Sequence, residues 1–115
     1  MKLIIAGKRD FYDYEKLKVE VDKLRKSIEI DEIVSGKCSG VDQMGERYAR
    51  EHHIPVKEFP AAWGTYGKSA GPIRNRKMAI YADVLIAFWD GESKGTKNMI
   101  SQMKEQGKPY YLVKI

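Results

Sequence analysis

Short apolar runs alternate along the chain with longer stretches in which apolar residues recur every three or four positions. Short runs bounded by glycine or charged residues are typical of buried strands, and the helical spacing is typical of amphipathic helices. The pattern predicts strands at 2–6, 32–35, 55–59, 82–89 and 110–113, with helices over 13–27, from beyond residue 42 to about 52, from 72, and over 96–106. This alternation predicts an α/β fold, a Rossmann-like three-layer α/β/α arrangement around a mostly parallel five-stranded sheet.

Glycine-rich loops follow three of these predicted strands, at Gly7, at 36–40 and at 91–95. In an open parallel sheet, ligands bind outside the carboxyl ends of the strands, near the point where the strand order reverses. We therefore expect the three loops to gather at one rim of the sheet. The run at 82–89 is too apolar for a half-exposed edge, so it is predicted to be an interior strand.

One stretch, 63–96, concentrates the candidate binding chemistry. No acidic residue occurs between Phe59 and Ala82, where four basic residues lie: Lys68, Arg74, Arg76 and Lys77. A helix that begins at Pro72 would carry Arg74 in its first turn, where free N–H groups and the helix dipole favour an anion. The second loop, Asp90 to Thr96, combines two glycines with the hydroxyls of Ser93 and Thr96 at a helix start. The stretch predicts a phosphate site.

Composition narrows the class of protein. With 115 residues, the chain is expected to form a single domain spanning 1–115. The net charge of +5 suits phosphorylated ligands but does not choose among them. No apolar run approaches the length that spans a bilayer, no export signal is recognisable, and one cysteine excludes an internal disulfide, so a cytoplasmic protein is expected. No residue spacing indicates a metal site or an obligatory cofactor.

Four blocks of the sequence carry a resemblance to a known family: 7–13, Ser35-Gly36 with 40–42, 67–78 and 88–96. In these blocks the chain resembles the YspA/cpYpsA-related branch of the SLOG superfamily. The resemblance implies a Rossmann-like domain that binds a nucleotide or an ADP-ribose-like molecule, as a sensor or sequestering protein in bacterial or phage conflict. It also implies a homodimer or higher homo-oligomer.

The candidate ligand-binding residues combine the resemblance with the loop chemistry. Either Trp63, in a glycine loop with Tyr66 that is expected to form a mobile lid, or Trp89, at a strand end, is expected to face a base. Cys38 is expected to be an incidental thiol. The full predicted set is Gly7, Arg9, Ser35, Gly36, Gly40, Asp42, Trp63, Lys68, Arg74, Asn75, Arg76, Trp89, Asp90, Gly91, Ser93, Gly95 and Thr96.

Two alternatives stay open. The lonely-guy phosphoribohydrolases, which are SLOG relatives, carry a catalytic glutamate where this chain has Met99. A nucleoside-phosphate N-glycosidase would therefore need Arg74 with Asp90 or Glu92, or Asp42, as its carboxylate. The other alternative is a protein that binds single-stranded nucleic acid, for which the basic residues are too clustered, so no nucleic-acid partner is expected.

Overall fold

A computed structural model describes residues 1–115 of the chain. Its strands are β1 (Lys2–Gly7), β2 (Glu32–Ser35), β3 (Val56–Glu58), β4 (Val84–Trp89) and β5 (Tyr110–Lys114). Its α-helices are α1 (Tyr14–Arg25), α2 (Val41–Glu51), α3 (Trp63–Tyr66), α4 (Ala70–Tyr81) and α5 (Lys94–Glu105), with one 3₁₀ turn at Gly67–Ser69 between α3 and α4. No helix has the length and apolar character needed to cross a membrane.

The five strands form one sheet in the order β3-β2-β1-β4-β5. Every neighbouring pair is parallel, so the expected α/β fold is confirmed and the sheet is wholly rather than mostly parallel. The strand order reverses between β1 and β4, because the chain adds β2 and β3 on one side of β1 and then crosses to the other. This reversal creates a crevice at the carboxyl ends of β1 and β4.

Alternate residues of the central strand feed two separate cores. Leu3 and Ile5 pack with α1 and α2 on one face of the sheet. Ile4 and Ala6 pack with α4 and α5 on the other face. Since both faces of β1 are covered, its sequence is apolar without alternation, and each buried aliphatic side chain stabilises the fold by about 1.5–3 kcal/mol.

The structure corrects two predicted boundaries in the segment before β4. Residues 63–69 form α3 and a 3₁₀ turn rather than a glycine loop. The turn runs directly into α4, which begins at Ala70 and not at Pro72. Pro72 fits the first turn because the N–H groups there have no partner within the helix. Arg74 is therefore the fifth residue of α4 and lies beyond its first turn.

The last helix begins earlier than expected. Its first residue is Lys94, and Ser93 precedes it as the N-cap position, so Thr96 lies inside the first turn. The helix is followed by Gly107 at a φ of 65°, which glycine adopts readily. This conformation suits a residue just beyond a helix end.

Lys108 ties the connection after α5 to the carboxyl end of α4. Its ammonium group donates to the carbonyl oxygens of Ala79 (2.9 Å), Ile80 (2.8 Å) and Ala82 (2.6 Å). These are carbonyls at a helix end, where a positive charge is also favoured by the helix dipole.

We expect Lys108→Met to lower the free energy of unfolding by about 1–3 kcal/mol, because it removes charged hydrogen bonds from helix-end carbonyls. Urea unfolding measures this change. Lys104→Met is the matched control, since Lys104 is exposed and contacts no carbonyl oxygen of α4. Equal stability losses in the two variants would contradict the capping role.

Candidate functional site

A cleft of about 820 Å³ opens at the carboxyl ends of β1 and β4. After β1 the chain turns towards α1 on one face, and after β4 it turns towards α5 on the other face. The cleft is lined by the loop after β1, the segment with α3, the first half of α4, and the loop that leads into α5. It therefore occupies the topological switch point, where ligands bind in sheets of this class.

Two glycines let the loops around the cleft approach one another closely. A Cβ on Gly7 would lie 2.4 Å from the carbonyl oxygen of Phe88 on the neighbouring strand. Gly40 has a φ of 72°, and a Cβ there would lie 2.4 Å from the carbonyl oxygen of Arg9. The N–H group of Val41 donates to the carbonyl oxygen of Lys8 at 3.3 Å. The loop after β2 is thereby fastened to the loop after β1.

Arg74 lines the cleft and is only 8% exposed, so its guanidinium group is largely buried. It donates to the carbonyl oxygen of Gly36, to Asn75 Oδ1 at 2.9 Å and to Cys38 Sγ at 3.6 Å. Gly36 leaves room for this group, since a Cβ there would lie 2.7 Å from Arg74 Nη1. Arg74 thus joins α4 to the loop after β2.

Asp42 lies beside this arginine and is 5% exposed. Burial raises the pKa of the Asp42 carboxyl to about 6, although the N–H group of Cys38 and the charge of Arg74 oppose the shift. The Cys38 N–H donates to Asp42 Oδ2 at 3.3 Å. The cleft therefore contains one carboxyl group that exchanges its proton near neutral pH.

We expect the Asp42 carboxyl to titrate with a midpoint near pH 6 in carbon-detected NMR. A folded-state pKa above the unfolded value means that protonation stabilises the fold. This contribution is fully present below about pH 4 and is lost as the pH rises through about 6. The total change in this contribution from pH 4 to well above pH 6 is about 3 kcal/mol. The difference in unfolding free energy between the wild type and Asp42→Asn should change accordingly, and a midpoint near pH 4 would contradict the assignment.

The loop from β4 into α5 is held from within. Asp90 Oδ1 accepts from the N–H groups of Ser93 (2.8 Å) and Glu92 (2.9 Å). These bonds, with Lys8 nearby, lower the pKa of the Asp90 carboxyl. Trp89 Nε1 donates to the carbonyl oxygen of Ser93 at 3.0 Å. These bonds fix the conformation of the loop, which brings the start of α5 to the cleft.

The first turn of α5 is also fixed from the side of α4. Asn75 Nδ2 donates to Asn98 Oδ1 at 3.0 Å and to the carbonyl oxygen of Gly95 at 3.3 Å. The N–H group of Lys97 makes the first bond of the helix, to the carbonyl oxygen of Ser93. The N–H groups of the three preceding helical residues have no partner within the helix, and they provide donors for an anion at the cleft.

Apart from Arg74, which is held by the loop after β2, the cations of the cleft fall into two groups. Lys8 pairs with Asp10 (3.6 Å) and with Asp90 (3.4 Å). In contrast, Arg9, Lys68 and Lys94 form no ion pair with a carboxylate, and each comes from a different lining segment. Three unpaired positive charges therefore surround one concave site.

Trp63 forms one wall of the cleft and remains 48% exposed. The guanidinium carbon of Arg9 lies 5.8 Å from the centre of a Trp63 ring. A Cβ on Gly71 would come within 3.3 Å of the same side chain, so the start of α4 packs closely against it. A half-exposed aromatic face and a cation thus lie together at the mouth of the cleft.

Eleven residues of the predicted ligand-binding set line this cleft, as does the catalytic candidate Glu92: Gly7, Arg9, Asp42, Trp63, Lys68, Arg74, Asn75, Asp90, Ser93, Gly95 and Thr96. Six others lie outside the lining: Ser35, Gly36, Gly40, Arg76, Trp89 and Gly91. Ser35 is buried and donates to Glu46 Oε2 at 2.6 Å. Gly36 lies against Arg74, Gly40 lies against Arg9, and Trp89 bonds to Ser93, so these three residues contact lining residues without lining the cleft themselves. Arg76 is exposed on α4.

Sequence reasoning left out several lining residues: Lys8, Asp10, Cys38, Gly71, Pro72, Lys94, Asn98 and Met99. Lys94 is the most informative of these. Its position in a glycine loop before a helix was a usable signal, because a cation beside free N–H groups favours an anion.

Comparisons with known proteins agree with this architecture. The model of the YspA, cpYpsA-related SLOG family matches residues 1–66. The Gene 61 protein of Mycobacterium phage D29 is 29% identical over 115 aligned residues, which cover 94% of this chain and 92% of the phage protein.

The fold is also similar to the X-ray structure of DNA processing protein A (DprA) from Streptococcus pneumoniae, with a TM-score of 0.77 at 17% identity. The similarity covers 96% of this chain and 49% of that protein, so this chain spans about half its length. The family match includes β1 and β2 with the loops that follow them, which build one side of the cleft. The chain belongs to the YspA, cpYpsA-related SLOG family.

Proposed function

We propose that the cleft binds a nucleotide or an ADP-ribose-like signalling molecule, and that the protein acts as a sensor or sequestering protein. The observation that carries this proposal is that three unpaired cations and the free first turn of α5 line one cleft at the switch point of the sheet. An unpaired cation in a concave site favours an anionic ligand, and three of them favour a ligand with more than one negative charge.

The phosphates belong at the start of α5. The N–H groups of the first turn donate there, and Lys94 and Lys68 supply charge from two sides. A cleft of about 820 Å³ lies within the usual range for sites that enclose whole small molecules. A dinucleotide-sized ligand such as ADP-ribose is therefore compatible with the site.

The base or distal ribose belongs at Trp63. Its half-exposed ring offers a stacking face, and Arg9 lies on that ring and can reach a second phosphate or a ribose hydroxyl. Because Trp63 lies on the short helix α3, movement of this helix would open or close the site over the base.

Binding without hydrolysis is favoured by the groups around the ligand. Met99 is 2% exposed in the wall of the cleft and offers no acid or base. Asp90 is engaged by two N–H groups and lies near Lys8, so its carboxylate already serves the loop. The Glu92 carboxylate is exposed, and no hydrogen bond or ion pair fixes it in a position to act on a ligand.

One observation favours a second candidate, an N-glycosidic hydrolase. The pKa of Asp42 near 6 would let this buried carboxyl donate or accept a proton at neutral pH, with Arg74 beside it as a positioning charge. In that case Asp42, rather than Asp90 or Glu92, would be the carboxylate of the reaction.

Native mass spectrometry tests the proposal. The protein is measured alone and with AMP, NAD, ADP-ribose and cyclic ADP-ribose. An intact bound mass supports a binding protein, whereas a bound fragment with its complement free in solution supports the hydrolase. No adduct with any of the four would count against the proposal. The same spectra read the mass of the assembly, for which we propose a homodimer or a higher homo-oligomer.

A matched pair of variants connects any binding to the cleft. Lys68→Gln with Lys94→Gln removes two unpaired cations from the lining. Lys97→Gln with Lys104→Gln removes two exposed cations from α5 that do not line the cleft. We expect the first pair to weaken binding at least tenfold and the second to change it by less than threefold, which corresponds to about 1.4 kcal/mol against a fraction of that.

A further inference from the structure

The two helical layers of the molecule carry very different charge. Helix α4 has three basic residues and no acidic one, and α5 has three basic residues and one acidic, so this layer has a net charge of +5. Helix α1 has four basic and three acidic residues, and α2 has two basic and three acidic, so the opposite layer has a net charge of zero. The net charge of this one layer therefore equals the net charge of the whole chain.

The exposed cations of the charged layer are also unpaired. Arg76, Lys77, Lys97 and Lys104, here called the basic face, are all exposed and form no ion pair with a carboxylate. On the opposite layer, Lys23 pairs with Glu20 and Arg47 pairs with Glu51. The basic face is therefore a surface with uncompensated positive charge.

The four residues lie on adjacent helices. Asn75 on α4 bonds to Gly95 and Asn98 on α5, so Arg76 and Lys97, which adjoin these residues in sequence, lie at a similar level along the two helices. Both helices run in the same direction, because each connects two strands of the same parallel sheet. Each has 12 residues and a length of about 18 Å. The basic face is broad enough to meet several phosphates.

We propose that the basic face binds the phosphate backbone of duplex DNA without sequence specificity. Lysine is depleted at protein–protein interfaces, which depend on aromatic and apolar anchors, and the only large apolar side chain exposed on α4 or α5 is Ile80. Lysine-rich polar surfaces are typical of contacts to nucleic-acid backbones. No exposed aromatic residue lies on these two helices, which favours a duplex over stacked single-stranded bases.

This proposal is independent of the ligand proposed for the cleft, and it differs from the expectation that no nucleic acid binds. In chain order, the basic residues of α4 and α5 are separated by the strand β4. Only the packing of the two helices side by side on one face of the sheet brings these residues into the same layer.

Fluorescence anisotropy with a labelled DNA duplex of about 20 base pairs tests the proposed DNA binding. The affinity is measured at several salt concentrations from about 50 mM upwards. We expect binding in the micromolar range at low salt, with a slope of log K against log salt of about −3 to −4 for four phosphate contacts. Replacing all four residues of the basic face by glutamine should weaken binding at least tenfold and bring the slope close to zero.

The control changes the net charge equally on the opposite side: Lys18→Gln, Lys23→Gln, Lys26→Gln and Arg50→Gln. Its affinity should fall by less than threefold. The double variants Arg76→Gln/Lys77→Gln and Lys97→Gln/Lys104→Gln should each lose about half of the slope, which guards against a folding defect in the quadruple variant. No binding by the wild type at low salt, or equal losses in the two quadruple variants, would overturn the proposal. Displacement of the duplex by ADP-ribose would also overturn it, because the DNA would then occupy the cleft.

Discussion

Replacing Arg74 by methionine is expected to lower the free energy of unfolding by about 2–4 kcal/mol at pH 8 and to abolish the proposed ligand binding in the cleft. Methionine fills much of the volume but leaves the carbonyl oxygen of Gly36 without its donor and the Asp42 carboxylate without its neighbouring positive charge. Removing a buried charged donor that leaves a carbonyl oxygen unpaired is among the more costly single changes in a protein.

Arg76→Met is the control for this experiment. The residue lies two positions away on the same helix but is exposed and has no hydrogen-bond partner among the side chains of the cleft. We expect its stability to stay within about 0.5 kcal/mol of the wild type. Chemical unfolding at pH 8 and pH 5 gives a second reading: the loss in Arg74→Met should be smaller at pH 5, because Asp42 is then protonated. Similar stability of the two variants would contradict the buried role of Arg74.

Gly40→Ala is the second change with a large expected effect, a loss of about 3 kcal/mol or more in the free energy of unfolding. The residue has a φ of 72° and a ψ of −121°, which is strained for any residue with a side chain. In addition, the new methyl group would lie 2.4 Å from the carbonyl oxygen of Arg9, which is backbone and cannot rotate away. We expect the loop after β2 to separate from the loop after β1.

Gly67→Ala separates these two causes. Gly67 has a similar conformation, with a φ of 57° and a ψ of −132°, but no atom lies within 4 Å of its added methyl group. Its loss should be limited to the conformational cost, about 1–2 kcal/mol. The difference between the two variants in urea unfolding then measures the contact between the loops. A Gly67→Ala variant as unstable as Gly40→Ala would show that this contact contributes little.

The sheet and the position of the site could be predicted from local features. Apolar runs identify buried strands, and a glycine loop after each such strand indicates the carboxyl rim. The predicted strand at 32–35 coincides with β2, and the loops at Gly7 and at 91–95 border the cleft as expected.

The role of each arginine could not be predicted in this way. Arg74 and Arg76 are two residues apart, and both belong to the set that the sequence predicts to bind the ligand. The choice is made by Gly36 and Cys38, which are 38 and 36 residues away in the chain and meet Arg74 only in the folded structure. Trp89 is a similar case, because a bond to the carbonyl oxygen of Ser93 turns its indole towards the loop.

The segment at 63–69 differs from the loop that its sequence predicts. It contains two glycines, which are typical of loops, yet Trp63 to Tyr66 form a helical turn. Helices this short are set by the packing around them rather than by residue propensity. Here the Trp63 side chain lies against Gly71 at the start of α4.

The most direct test of the central claim, that the cleft at the switch point is the nucleotide site, is an amide NMR titration with ADP-ribose. The account predicts the largest shifts in the first turn of α5, at 94–96, and in the loop after β1, at 7–9, with a smaller change at the Trp63 indole. Shifts confined to the outer faces of α1 and α2, with none at the start of α5, would contradict it.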